Sequence, residues 1–114
     1  HYALAAAEQL EEEEGIRSHV LDLRTLQPLD KEAILAAAAR TGKVLIIHED
    51  NKTGGIGAEV SAIIAEEMLY DLDAPIMRLC GPDVPAVGTS PTTEKFFLPS
   101  TEKVKQAMRS LALY

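Results

Sequence analysis

Leu4, Ala7 and Leu10 recur at helical spacing, with Glu8, Glu11, Glu12 and Glu14 on the opposite side, and Gly15 supplies the kind of residue that ends a helix. The period then changes. Val20-Leu21-Asp22-Leu23 is a short apolar run ending at Arg24-Thr25, which predicts a strand buried on both faces. Pro28 breaks that run, and Asp30 is placed to cap a helix over Ile34, Leu35 and Ala38 that Gly42 closes. Val44-Leu45-Ile46-Ile47 is the clearest strand, expected to stop at His48-Glu49-Asp50. A polar loop, Asn51-Lys52-Thr53, leads into Gly54-Gly55-Ile56-Gly57 and a helix with Val60, Ile63, Ile64 and Met68 on one face. Ile76 to Leu79 forms another strand after Pro75, and Gly81-Pro82 ends it. From Gly81 to Pro99 no period is visible, so this stretch reads as irregular and functional or interfacial. Ser100 caps a last helix whose buried stripe is Val104, Ala107, Met108 and Leu111.

Strands alternating with helices predict an α/β domain, a parallel sheet covered on both faces and joined by right-handed crossovers. Three strands make a poor sheet of this kind, and the opening helix lacks the strand that should precede it. At least one strand is therefore expected upstream of His1, with residues 1–114 forming a single domain of a longer subunit. The length of 114 residues suits one domain, and 46% hydrophobic residues is ordinary for a globular chain. The net charge of −7, with scattered Lys and Arg, argues against nucleic acid and anionic membranes. No apolar run approaches the ~20 residues of a membrane span. The opening residues lack the basic region of a signal peptide. A single cysteine, Cys80, forms no internal disulfide and suits a reducing compartment.

Ligands of open parallel sheets gather beyond the carboxyl ends of the strands, here Arg24-Thr25, His48-Glu49-Asp50 and Cys80-Gly81. His48 beside two carboxylates could act as a general base or a metal ligand. Adjacent residues of an extended segment point to opposite sides, however, so the triplet cannot converge on one ion, and a local structural or interface role is favoured. A glycine turn opening a helix offers N–H groups to phosphate. The dinucleotide fingerprint counted from Gly55 and Gly57 would require a glycine where Val60 stands, so close packing of the helix start is favoured. Cys80 sits at a strand end, a position suited to displaying a nucleophile, and His19 or His48 could partner it only if the fold brought them together. The simpler reading is a small buried hydrophobe. Tyr70, Phe96 and Phe97 read as packing or interface residues rather than a stacking platform.

The order of four blocks is more specific than any one of them: VLDLRTLQPLD from Val20, VLIIHEDNKTGGIGAEV from Val44, DAPIMRLCGPDVP from Asp73 and EKFFLPS from Glu94. Together they resemble the C-terminal, transketolase-like domain of the beta subunit of thiamin-diphosphate-dependent 2-oxo acid dehydrogenases, a group including the pyruvate, branched-chain 2-oxo acid and acetoin enzymes. The resemblance covers essentially the whole chain. It implies a three-layer α/β/α domain with a mainly parallel sheet and a strand preceding the opening helix. It further implies a thiamin diphosphate and magnesium enzyme whose aminopyrimidine site lies in an upstream domain and whose diphosphate site lies in an alpha subunit or fused alpha region. Implied partners are that alpha subunit, a second beta subunit and the lipoyl acyltransferase core. The implied compartment is the bacterial cytoplasm or the mitochondrial matrix.

No catalytic, cofactor-binding or metal residue is assigned by the resemblance to this segment, which alone should be inactive. Arg24, His48, Glu49, Gly54, Gly55 and Gly57 match the family pattern and are expected to shape loops and subunit contacts. Ala86 to Thr93 departs from the commoner form, and Cys80 stands where threonine is more frequent. The competing readings are a transketolase or deoxyxylulose-phosphate synthase domain, a free-standing anion- or nucleotide-binding module at Gly54 to Gly57, and a phospho-acceptor receiver. The last is disfavoured because Asp22 is mid-strand and Cys80 replaces a needed lysine.

Overall fold

The computed structural model describes residues 1–85 and 88–114. Its elements are α1 (Tyr2–Glu14), α2 (Lys31–Thr41), β1 (Leu45–Asn51), α3 (Ile56–Met68), a 3-10 turn (Leu69–Asp71), β2 (Met77–Gly81), α4 (Pro91–Phe97) and α5 (Thr101–Ala112). The helix ends follow from their caps. Gly15 and Gly42 take left-handed conformations, φ 69° and 66°, which cost a residue with a Cβ more than glycine. The Asp30 carboxylate accepts from the Ala33 N–H, and the Ser100 hydroxyl accepts from the Lys103 N–H, each satisfying a donor that the helix start leaves free.

β1 and β2 pair in parallel, with Leu45 opposite Met77, Ile46 opposite Arg78 and Ile47 opposite Leu79. α3 packs on the strand pair with α2 against it and facing the same core, while α5 packs on both strands with α1 against it. Three layers result, in the α/β arrangement the alternating pattern predicts. The main core joins Ile34 and Ala38 of α2 to Val60, Ile64 and Met68 of α3, with Val44, Ile46 and Ile76 against it. A second buried set, Ala6, Leu10, Val104 and Leu111, lies on the two helices of the α1–α5 layer.

The structure corrects three expectations. Val20–Leu23 is not a paired strand. Its neighbourhood bonds locally, the Arg24 N–H to the Asp22 carboxylate at 3.2 Å, and Leu21 is 40% exposed, although Leu23 reaches the core. A strand exists through the hydrogen bonds of a neighbour, and among the described residues this segment has none. β1 does not stop at His48 but runs on to Asn51, which pairs with Gly81. Between the Ile47–Leu79 and Asn51–Gly81 pairs the register shifts, so the polar triplet forms an irregularity inside the strand. Finally, the stretch from Gly81 to Pro99 contains α4. Seven residues are too few to show a period, but Ser90 accepts from the Thr93 N–H and Pro91 occupies the first turn, where its missing donor costs nothing. Ala86 and Val87, within the stretch that departs from the family form, lie outside the described residues.

α1 is also clipped to α5 by charge. The Lys105 ammonium, on a nearly buried side chain, donates to both Glu13 oxygens at 2.8 and 2.7 Å, and Arg109 Nε donates to the Glu14 carboxylate at 2.7 Å. The hydrogen bond from Arg109 holds the Glu14 carboxyl below the usual carboxylate range, outweighing the opposing effect of desolvation. A carboxyl pKa lowered by folding contributes stability above its unfolded value and loses that contribution as pH falls through the folded one. Acidification below the ordinary carboxylate range is therefore expected to loosen α1 before α2 and α3. In an NMR pH titration, α1 amide resonances should move first; simultaneous loss from all three helices would contradict this.

Candidate functional site

His48, Glu49, Gly54, Gly55 and Gly57 lie towards the carboxyl end of β1, where the loop after it turns into α3. Gly54 holds φ +76°, the left-handed conformation that reverses the chain there. The loop is stitched to the end of β2. The Lys52 N–H donates to the Gly81 carbonyl at 3.0 Å, and the Thr53 N–H and hydroxyl donate to the two Asp83 carboxylate oxygens at 3.0 and 2.6 Å. These two bonds from Thr53 hold the Asp83 carboxyl below its usual range. Arg78 Nη1 donates to the Lys52 carbonyl at 3.2 Å, completing the clamp.

His48 projects beneath the start of α3. A Cβ built on Gly55 would lie 2.7 Å from His48 Cε1, and one built on Gly57 would lie 2.6 Å from Nε2. No real Cβ is accommodated at such distances, so these two glycines let the helix start close over the imidazole. Across the strands His48 Nε2 lies 3.2 Å from Cys80 Sγ. Its Nδ1 is buried and has no hydrogen-bond partner among the described residues. Burial pushes the Cys80 thiol up, against the smaller opposite pull of Arg78 and Lys52.

His48, Gly55 and Gly57 are thus brought together, and Gly54 sets the turn beside them. Glu49 and Asp50 face solvent. Arg24 does not join the group: it is exposed, has φ 56°, and pairs with its neighbour Asp22 at 3.7 Å. His19 is exposed, and the side-chain partner of Cys80 among the described residues is His48. The Cys80–His48 contact is the feature that a reading of separate motifs misses. Each residue directly follows the last regular pair of the ladder, Ile47 opposite Leu79, so the two side chains leave their strands side by side where the irregularity begins.

The chemistry of this arrangement is restricted. A thiol and an imidazole can exchange a proton, but nucleophilic catalysis also needs a third group to orient the base. His48 Nδ1, where that group would bind, is unpartnered among the described residues. Nor is any cluster of three His, Cys, Asp or Glu side chains placed to hold a metal among the described residues.

Comparisons with known proteins follow the same lines. The family described as "Transketolase, C-terminal domain" matches residues 1–104. The chain is 60% identical over 112 residues to the 2-oxoisovalerate dehydrogenase subunit beta of Bacillus subtilis (strain 168), covering 98% of this chain and 34% of that protein. It is 42% identical over 103 residues to the mitochondrial 2-oxoisovalerate dehydrogenase subunit beta 2 of Arabidopsis thaliana, covering 90% of this chain and 28% of the relative. A solved structure titled "Split gene transketolase, inactive beta4 tetramer" superposes with a TM-score of 0.81 at 28% identity, covering 98% of this chain and 35% of that one. The chain spans about a third of the length of the curated relatives it matches. Fold, motifs and family match agree, and the chain belongs to the transketolase C-terminal domain family.

Proposed function

We propose that this chain is the assembly and partner-docking domain of the decarboxylating component of a 2-oxo acid dehydrogenase. That component removes carbon dioxide from a 2-oxo acid and passes the acyl group to a lipoyl arm. The identity to beta subunits of that name supports a beta-subunit domain and favours a branched-chain 2-oxo acid as substrate. The observation that carries the assembly role is an apolar patch. Leu69 and Tyr114 line one shallow depression of about 550 Å³ with Ala65, Leu72 and Ile76. Beside them Tyr70 is 99% exposed and Leu113 is also exposed. Contiguous exposed apolar surface of this sort marks a contact face.

The partners in this reading are an alpha subunit or fused alpha region, a second beta subunit and the lipoyl acyltransferase core. A solved relative described as a beta4 tetramer is consistent with beta–beta contacts. A further strand, contributed from upstream, would supply Val20–Leu23 with the neighbour it lacks here and complete the sheet. Arg24 and Gly54 then belong to loops shaped for subunit contact, Glu49 to the exposed irregular part of β1, and His48, Gly55 and Gly57 to the packing beneath the loop at Gly54. Relatives occur in a bacterium and in a mitochondrion, and no helix among the described residues is long and apolar enough to cross a membrane.

Thiamin diphosphate and magnesium do not fit this segment's own residues. The start of α3, a glycine-rich helix N-terminus, is occupied by the His48 ring against Gly55 and Gly57. Asp83 is engaged by Thr53, and Glu49 and Asp50 follow His48 along a strand without converging on it. No step of the reaction is therefore assigned to these residues, and the same crowding disfavours a phosphate module at Gly54 to Gly57.

The test places Leu69→Asp and Tyr70→Asp together in the full-length beta subunit, co-expressed with its alpha subunit. Both side chains are exposed, so fold stability should change by no more than ~0.5 kcal/mol. The mass of the assembly measured by light scattering should fall, with decarboxylation falling alongside it. An unchanged assembly with full acyl transfer would remove the patch from the proposal.

A further inference from the structure

We propose that the outer edge of β2 is a docking groove for a short, extended, acidic segment of another polypeptide, which would add to the sheet as a strand beside β2. The Met77 N–H donates to the Val44 carbonyl at 3.0 Å. In a parallel ladder successive residues turn their backbone groups to opposite sides, so the N–H and C=O groups of Arg78 and Cys80 point away from β1. Among the described residues no element pairs with that side, since β2 is an edge strand of a two-stranded sheet. Unpaired edges invite strand addition, with main-chain bonds supplying affinity and side chains supplying choice.

A cleft of about 370 Å³ runs beside this edge, between Arg78 to Asp83 on one side and Phe96 to Pro99 on the other. That volume suits a few extended residues, and the main-chain donors and acceptors along the edge favour a strand over a helix, whose own backbone groups are already paired. Phe96 stands at its rim 66% exposed, offering an apolar face to one side chain of an incoming strand.

Charge identifies the occupant. The whole chain carries 18 acidic against 11 basic side chains, yet Lys52, Arg78 and Lys103 all line this cleft. Lys103 is committed to the Phe96 and Leu98 carbonyls at 2.8 and 2.9 Å, closing the end of α4. Arg78 spends one nitrogen on the Lys52 carbonyl, which leaves its remaining donors and the Lys52 ammonium for a visitor. The one carboxylate lining the cleft, Asp83, is already engaged by Thr53. An acidic strand would therefore meet opposite charge here and like charge along the Glu-rich α1. A second copy pairing edge to edge would instead bring a second set of the same cations to this edge, and a basic segment would be repelled.

The experiment uses the full-length beta subunit, co-expressed with its alpha subunit, and a six-residue capped peptide of alternating glutamate and valine, with alternating lysine and valine as control. Titration followed by NMR should slow exchange of the Arg78 and Cys80 amides with the glutamate peptide, and added salt should weaken binding. Lys52→Glu with Arg78→Glu should weaken it about tenfold or more, the equivalent of reversing two rim charges. Cys80→Pro removes an outward donor while leaving the inner ladder, and should abolish protection that Cys80→Ala retains. If the proline variant does not fold, the charge variant decides. Unprotected amides at saturating glutamate peptide, equal binding of the lysine peptide, or binding indifferent to the charge reversals would each overturn the proposal. So would sedimentation showing the edge already buried in a dimer of this chain.

Discussion

Gly57→Ala is expected to destabilise the domain by about 1–3 kcal/mol, the usual range for forcing extra volume into packed surroundings. Helix propensity alone argues the reverse, since alanine in a helix is favoured over glycine by roughly 0.5–1 kcal/mol. The steric effect wins because the new methyl would lie 2.6 Å from His48 Nε2, 2.7 Å from Cδ2 and 3.2 Å from Ile46 Cγ2. The imidazole has little room to retreat, with Gly55 against its Cε1 and Cys80 Sγ 3.2 Å from Nε2. A double-mutant cycle isolates this cause. In a His48→Ala background the clash is gone, and Gly57→Ala should become neutral or stabilising by up to about 1 kcal/mol. Urea denaturation of the four proteins measures the coupling. Additive effects would show that the glycine is needed for some reason other than the ring beneath it.

That pairing illustrates which parts of the molecule are readable along the chain. Helix ends are local: Gly15, Asp30, Gly42 and Ser100 each act within a few residues, and each ends or begins a helix where its chemistry says it should. The cores of both paired strands, Val44–Ile47 and Ile76–Leu79, also stand out as apolar runs between polar loops. Strand pairing is not local. Val20–Leu23 has the composition of a buried strand, but composition cannot provide the adjacent ladder, and without it the segment stays unpaired. His48 and Cys80 are separated by 32 positions and become neighbours only through the register of β1 on β2. The glycines near His48 were legible as close-packing residues, while the group they pack against was not. α4 escaped for the opposite reason. Its signal, Ser90-Pro91 with Glu94, is wholly local but lies in caps rather than in a period.

Leu10→Ala should have the largest effect of any single substitution in the α1–α5 layer, about 2–5 kcal/mol. Leu10 is fully buried, as are Ala6 beside it and Val104 on α5, so truncation leaves a cavity whose lining cannot easily collapse. The ion pairs on the same flank cannot compensate. Glu14 with Arg109 is a solvent-screened surface pair, of a kind that contributes little. Lys105 is nearly buried but its partner Glu13 is half exposed, so the attraction is offset by desolvation of the ammonium. Glu13→Gln, which keeps a hydrogen-bond acceptor for Lys105, is accordingly expected to cost less than Leu10→Ala. Against a total stability of about 5–15 kcal/mol for a domain, the leucine is the difference between a docked and a loose α1. Thermal unfolding of both variants, with exchange protection along α1 as the second readout, checks the ranking. A larger loss from Glu13→Gln would mean that charge, not apolar packing, holds the outer helix. The ranking also bears on assembly, because α5 packs on both strands and ends at Leu113 and Tyr114 of the exposed patch. A loosened α1 would leave α5 with less to hold it and the patch less well presented, so under the proposed assembly role Leu10→Ala should weaken subunit assembly without touching a residue of the patch itself.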